Sequence, residues 1–406
     1  MSTLATNLDI PVIPVITDQS RTERQAMLRA TARESWIARN EIGYSLLTYE
    51  SVMGILRDKR WHSATGLISE LRGITDEKFL SRRRVSILSA EGDVHVRLRR
   101  LVAPAFSPRS ADRLRPFMRE TINSLVDAVA TTGHAEIVRD ICEPYPIPII
   151  CELLGAPKED WKSFSVWATD VLRIFSDHVV EELPIIMNAQ DEINAYTRDL
   201  ISQRRNIPRD DLLTDLIKAE ADGDRLTESE LEMMVEAVII GGTDTTRNQL
   251  GLALALFAEH PDQWDLLRNN PDLAPKAVEE VMRYSGAVGG TVRFASEDIE
   301  YNGVLFPQGT FVNVSLSSGN FDTAIFPTPE TFDITREPVG QPQLSFGSGI
   351  HYCLGASLAR AELQEAFVIL ANRMPHLRLA GTPEFKPVGV GIFGPSSLPV
   401  TFSPNN

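Results

Sequence analysis

Residues Leu344 to Leu363 read LSFGSGIHYCLGASLARAEL. Gly347, Gly349 and Gly355 bracket Cys353, and an apolar helical pattern starts directly after it. Glycines let backbone approach a flat ligand and leave amides free to point at a sulfur. A thiolate at the start of a helix is favoured by the positive end of the dipole and by unpaired N–H groups, both of which lower a cysteine pKa. An isolated intracellular cysteine is ordinarily a buried, inert thiol. These surroundings make a metal ligand the alternative, although zinc would want three or four ligands, and no CxxC or HxxxH spacing accompanies Cys353.

The rest of the chain narrows the choice. At 406 residues with 43% apolar and 23% charged residues, it has the composition of a globular protein with a sizeable core. A formal net charge of -15 disfavours a general nucleic-acid binder and names no partner. Three cysteines, Cys142, Cys151 and Cys353, form no disulfide framework and point to a reducing compartment, with the cytoplasm the expected location. The start, MSTLATNLDIPVIPVITDQSR, lacks a basic segment followed by an apolar signal core and reads as an extended lead-in. No apolar run reaches the ~18 residues that a membrane span requires, so a soluble protein is expected.

The first two-thirds is helical in pattern, with loops expected at SPRS, LGAPKED, RNIPRDD and ADGDRLTESE. From Leu226 to Pro261 the sequence is LTESELEMMVEAVIIGGTDTTRNQLGLALALFAEHP. Thr227 and Glu230 form a capping box, and the pattern stays helical to His260-Pro261. Its middle is apolar nearly all round, which predicts a helix running through the core. After Tyr284, TVRFASEDIEYNGVLFPQGTFVNVSL predicts a small sheet, with Asn302-Gly303 as a two-residue hairpin turn. An irregular stretch from Ser318 to Gln343, a helix from about Leu354 to Asn372 and a strand-like tail complete the chain. The expected architecture is a single domain, 1–406, mainly α with a smaller β part. Its α-rich part covers about 30–285 and 355–375, and its β-rich part about 290–315 and 376–404.

FGSGIHYCLG resembles the haem-binding loop of the cytochrome P-450 family, Phe-Gly-x-Gly-x-His-x-Cys-x-Gly, at Phe346, Gly347, Gly349, His351, Cys353 and Gly355. An iron already held by a porphyrin needs only one thiolate on that side. The resemblance implies haem b as cofactor, Cys353 as its axial thiolate, Phe346 packed over the sulfur and His351 near a propionate. It also implies the family's fold, with the long helix crossing the haem face. Upstream motifs follow in order. In PKAVEEVMRY, Glu280 and Arg283 match the family's Glu-x-x-Arg, which braces the cysteine segment; alone, the pair reads as an exposed helical ion pair. FPTPETFDITR has Thr331 where the family often has the third member, an arginine, so either Arg336 compensates or the brace rests on fewer contacts. SSGNFD likewise has Phe321 where many relatives carry arginine. EGDVHVRLRRLVAPAFSP resembles the family's C helix, with His95 and Arg99 on one face; otherwise this is a solvated basic face. By resemblance, His95, Arg99, Arg293 and His351 are assigned to the haem propionates.

Within IIGGTDTTRN, two adjacent glycines each cost about 1 kcal/mol relative to alanine in a helix and need a reason. Either Gly241 and Gly242 allow a close helix crossing, or they open the helix beside the iron. Asp244 and Thr245 match the family's acid–alcohol pair, which delivers the protons that dioxygen activation consumes. The implied enzyme is a cytochrome P-450 monooxygenase, inserting one oxygen atom into a substrate C–H bond. The chain has no flavin, nicotinamide or iron–sulfur fingerprint, so electrons from NAD(P)H are expected through a separate ferredoxin and ferredoxin reductase. Arg97, Arg100 and Arg109 are candidates for steering that acidic partner, or plain surface charge.

By position relative to these motifs, Ala237, Ile240, Gly241, Gly289, Gly290, Thr291, Ile392 and Phe393 are expected to line the substrate pocket, completed by 67–88 and 167–188. These side chains are mostly small, and a roomy apolar pocket suggests a bulky hydrophobic substrate such as a terpenoid, steroid or polyketide. Two other readings stand beside this one: a peroxide-driven haem-thiolate catalyst, and a non-enzymatic haem protein that binds a diatomic ligand.

Overall fold

A computed structural model describes residues 3–14, 20–175, 178–221, 226–387 and 392–404. The expected loop at ADGDRLTESE therefore lies partly outside the described residues, as does part of the lead-in.

The chain is mainly helical with a smaller β part, as its patterning predicts. Its axis is the 32-residue helix Glu228–Glu259, opened by the expected capping box: Glu230 N donates to Thr227 Oγ1 at 3.1 Å, and Thr227 N donates to Glu230 Oε2 at 2.8 Å. This core helix is buried on nearly every side between Thr243 and Ala258. Helices Pro146–Leu154, Trp161–Val171, Val179–Asn206 and Ala356–Arg373 pack around it. The cysteine segment precedes the last of these.

A five-stranded sheet runs in the order Ile37–Asn40, Gly43–Leu46, Phe311–Val314, Thr291–Ala295, Trp61–Ser63, with only the second and third strands parallel. Three of its strands fall inside the stretch expected to be helical. Four or fewer residues each, they are too short to show a period; Gly43–Leu46 and Trp61–Ser63 are held by strands far later in the chain, such as Val312, the partner of Tyr44, and Ile37–Asn40 pairs with its neighbour Gly43–Leu46. Asn302 and Gly303 have φ of 49° and 74° and close the expected hairpin between Ile299–Tyr301 and Val304–Phe306. Thr3–Leu4 adds a parallel strand to it, so the described part of the lead-in is paired. The tail strand Pro399–Thr401 pairs with Arg378–Leu379 and with His134–Glu136.

One expected loop is a helix start: in SPRS, Ser107 caps and Pro108 opens the helix Pro108–Asp127. Proline at the first helical position sacrifices no hydrogen bond, so the residues that suggest a loop also suit an N-terminus. Among the described residues no helix is long and apolar enough to cross a membrane.

Candidate active site

The glycines of the cysteine loop do different work. Gly347 and Gly349 have φ of 69° and 71°, and a Cβ on Gly349 would lie 1.9 Å from Leu56 O. Only glycine fits there, and the loop is thereby pinned against the helix Tyr49–Arg57. The chain then doubles back so that Cys353 N donates to Phe346 O at 2.9 Å, and Gly355 leads into the helix Ala356–Arg373. Burial pushes the Cys353 thiol up, opposed by the Gly355 amide and by Arg99 and Arg360. Those three groups stabilise a thiolate once the sulfur has an electropositive partner. Phe346 is buried, with the Arg360 guanidinium 4.4 Å from its ring centroid. Arg360 itself is held by Glu279, at 2.5 and 3.1 Å.

Beside this loop His351, His95 and Arg293 sit near a single carboxylate, Glu91, and Arg99 lies against the loop backbone. His95 lies 4.4 Å, centroid to centroid, from the His351 ring. His351 Nε2 is 2.9 Å from Glu91 Oε1, so it already has a protein partner that the motif did not reveal. Burial, then His351 and Arg99, push His95 down to about 4. Arg293 is buried and donates only to Thr291 Oγ1 and Val292 O, both at 3.0 Å, with no carboxylate in ion-pair reach among the described residues. Burial lowers its pKa, and Glu91 offsets that in part. Arg99 donates to Tyr352 O at 2.6 Å. A buried guanidinium without a counter-ion is costly. The set is one that the two propionates of a haem would complete, and together with the glycine-pinned loop and lone thiol it fits that group.

On the core helix the two glycines divide the alternatives between them. A Cβ on Gly242 would meet Ile150 Cδ1 at 2.2 Å, so Gly242 serves a close helix crossing. One on Gly241 would meet nothing within 4 Å: this residue faces open space. The helix is unbroken there, and Thr245 Oγ1 donates to Gly241 O at 2.5 Å. Asp244 is buried, and its carboxylate pairs with Arg247 and, at 3.6 Å, with Lys386. Arg247 in turn lies 3.8 Å from Glu143, whose side chain is 44% exposed. A chain of charged groups thus links the buried acid to solvent. Neither Lys386 nor Glu143 is suggested by the helix sequence, because both come from distant segments.

Of the expected pocket residues, Ala237 and Ile240 are half-buried, and Gly289 has only Ser317 Oγ near its missing Cβ, at 3.8 Å. Gly290 has Val314 O 2.9 Å from where its Cβ would stand and directly precedes the strand Thr291–Ala295, and the Thr291 hydroxyl is taken by Arg293. Half-buried Ile392 and Phe393 lie in the tail; Phe393 N donates to Ala287 O at 3.0 Å, bringing the tail onto the segment before Gly289. Arg97 is engaged by Glu230, which removes it from the expected steering set. Arg100 and Arg109 are exposed.

The Glu280–Arg283 pair is buried rather than a surface pair, with bonds of 2.8 Å from Nε and Nη2. Arg336 Nε reaches the same carboxylate at 3.0 Å, and Thr331 contributes its carbonyl to both arginines. Phe321 lies beneath the Arg29 guanidinium, 3.2 Å from its ring centroid, with Arg283 at 5.2 Å.

This fold and arrangement are those of a haem-thiolate oxygenase. The family model for Cytochrome P450 matches residues 159–383. The chain is 38% identical over 360 residues to nocardicin C N-oxygenase of Nocardia uniformis subsp. tsuyamanensis, covering 87% of this chain and 88% of the relative. It is 37% identical to luteothin monooxygenase of Streptomyces thioluteus, with 92% of each covered. The solved structure of CalO2 superposes with a TM-score of 0.90 at 29% identity, covering 98% of this chain and 100% of that one. The chain belongs to the cytochrome P450 family and is an oxidoreductase of the monooxygenase type.

Proposed function

We propose that this chain, acting as a single domain, hydroxylates a hydrophobic organic substrate with dioxygen and two electrons from a separate ferredoxin and its reductase, fed by NAD(P)H. Cys353 is the haem ligand, and His95, Arg99, Arg293 and His351 hold the propionates. The observation that carries the reading is a lone, loop-held thiol beside Arg293, a buried guanidinium with no carboxylate in ion-pair reach among the described residues, with the acid–alcohol pair on the core helix. When bound, the haem supplies the chemistry of dioxygen activation, with electron density pushed by the thiolate.

The chain's own residues bind, orient and move protons. Gly241 leaves room on the core helix. Asp244, held by Arg247 at the solvent-facing link to Glu143, takes protons that water brings to its carboxylate, and Thr245 passes them on when its hydroxyl swings away from Gly241 O. Ala237, Ile240, Gly289, Ile392 and Phe393 exclude water and hold an apolar substrate. The two relatives' names are of oxygenating enzymes with different substrates; they support the reaction class, and a terpenoid, steroid or polyketide skeleton rests on the small pocket side chains alone. Arg100 and Arg109 offer positive charge to an acidic redox partner.

The test is reconstitution with a ferredoxin, its reductase and NADPH under isotopically labelled dioxygen. Label in a hydroxylated product is expected, and activity with hydrogen peroxide alone, none with any ferredoxin system, contradicts the reading. A role limited to binding a diatomic ligand predicts no product and no effect of Thr245→Ala.

A further inference from the structure

Arg21 opens the helix Arg21–Glu34, at the end where the macrodipole is positive and a cation is disfavoured. Its Nη2 donates to Gly286 O at 2.6 Å, and its guanidinium lies 4.4 Å from the Phe393 ring centroid. Its Nη1 is fully covered and has no hydrogen-bond partner. In a chain with a net charge of -15, no carboxylate among the described residues comes within ion-pair distance of it. The nearest charged influence is another cation, Arg29, itself paired with Glu330 at 2.6 Å. Burial and Arg29 pull Arg21 down to about 10. Burial, the helix dipole and a like charge all oppose this guanidinium, and one carbonyl and one aromatic face offset them only in part.

Its position gives the missing anion a place. Gly286 precedes the Gly289 segment, Phe393 is bonded to Ala287, and Phe393 stacks on Phe385 at 5.6 Å and 6°, with Phe385 42% exposed. Arg21 therefore stands where two proposed pocket segments meet, beside an aromatic pair that reaches solvent. We infer that Arg21 binds the carboxylate of an amphiphilic substrate, whose apolar body lies along Phe393 and Gly289 toward the core helix. A guanidinium whose second amino group lacks a partner is suited to a carboxylate, and the neighbouring rings to the hydrocarbon next to it. The inference rests on the proposed pocket and narrows its substrate to an organic acid.

Isothermal titration calorimetry on the purified holoprotein tests it with three acids of different shape, dodecanoic, lithocholic and abietic, each against its methyl ester. At least one acid is expected to bind about ten- to a hundredfold more tightly than its ester, the size of a charge-assisted hydrogen bond. The preference should vanish in Arg21→Gln and persist in part in Arg21→Lys. No acid preferred over its ester, or a preference that survives Arg21→Gln, overturns the inference. Should Arg21→Gln fail to fold, the wild-type comparison and Arg21→Lys still decide. The readout is heat rather than haem colour, so a protein lacking the haem-thiolate spectrum refutes the monooxygenase reading separately.

Discussion

Arg336 Nε donates to Glu280 Oε2 at 3.0 Å, taking the place that a side chain at Thr331 leaves empty. Glu280 thus faces two guanidinia, while Arg283 also donates to the carbonyls of Asn320 and Pro329, at 3.1 and 2.9 Å. The brace ties the helix Ala274–Tyr284 to the irregular segment ahead of the cysteine loop. Removing one partner of a buried pair strands the other charge at a cost of about 3–5 kcal/mol. Arg283→Ala is expected to lose that much and to be recovered without haem. Arg336→Ala is expected to lose less, because Arg283 remains. Thr331→Ala, which keeps the carbonyl, should stay within about 0.5 kcal/mol of wild type. Chemical denaturation of the three variants checks the ranking, and a costly Thr331→Ala contradicts it.

The two adjacent glycines of the core helix should respond oppositely to alanine. At Gly242 the new methyl collides with Ile150, and overpacking of that kind costs about 1–3 kcal/mol. At Gly241 it meets nothing, so helix propensity favours alanine by up to about 1 kcal/mol. The same methyl would intrude on the proposed oxygen and substrate space. Thermal unfolding should separate the variants in sign, and Gly241→Ala should weaken substrate-induced spin shifts. Equal destabilisation by both would contradict the division.

Thr245→Ala is expected to keep electron consumption while releasing it as peroxide. Asp244→Asn, which breaks the link through Arg247, is expected to slow product formation by about a hundredfold or more, a common size for a proton-transfer role. Peroxide and product assays against NADPH consumption check both. Tight coupling in Thr245→Ala contradicts the assignment.

Glu362 is fully buried on the helix that follows Cys353, accepting from Thr246 Oγ1 at 3.2 Å, and burial pushes its pKa up to about 8. Its folded value lies above the unfolded one, so between roughly pH 4.5 and 8 the folded chain holds a proton that the unfolded chain has lost. Stability from this group is complete below that window and falls as pH rises through it, by at most about 1.4 kcal/mol per pH unit. Glu362→Gln should abolish that slope and be relatively more stable at pH 8 than at pH 5. Denaturation curves across the window that match wild type in slope would contradict it.

What could be read from sequence was local. The cysteine loop, the Thr227–Glu230 cap and the Asn302-Gly303 turn each place their cause within a few residues of their effect. The misreadings share the opposite property. Gly43–Leu46 becomes a strand because Phe311–Val314 lies beside it. Lys386 and Glu143 join the site of Asp244 from segments that no spacing rule connects to it. Phe321, which departs from the family pattern, lies under the guanidinium of Arg29, from a distant segment of the chain. The short strands carry too few residues to announce a period, and distant polar partners leave no periodic trace.

The most direct measurement is the ultraviolet–visible spectrum of dithionite-reduced protein before and after carbon monoxide, on wild type and on Cys353→Ala. The account predicts a strongly red-shifted Soret band for wild type and its complete loss in the variant. A wild-type-like band in Cys353→Ala, or no haem absorbance in the wild type after reconstitution, would contradict it.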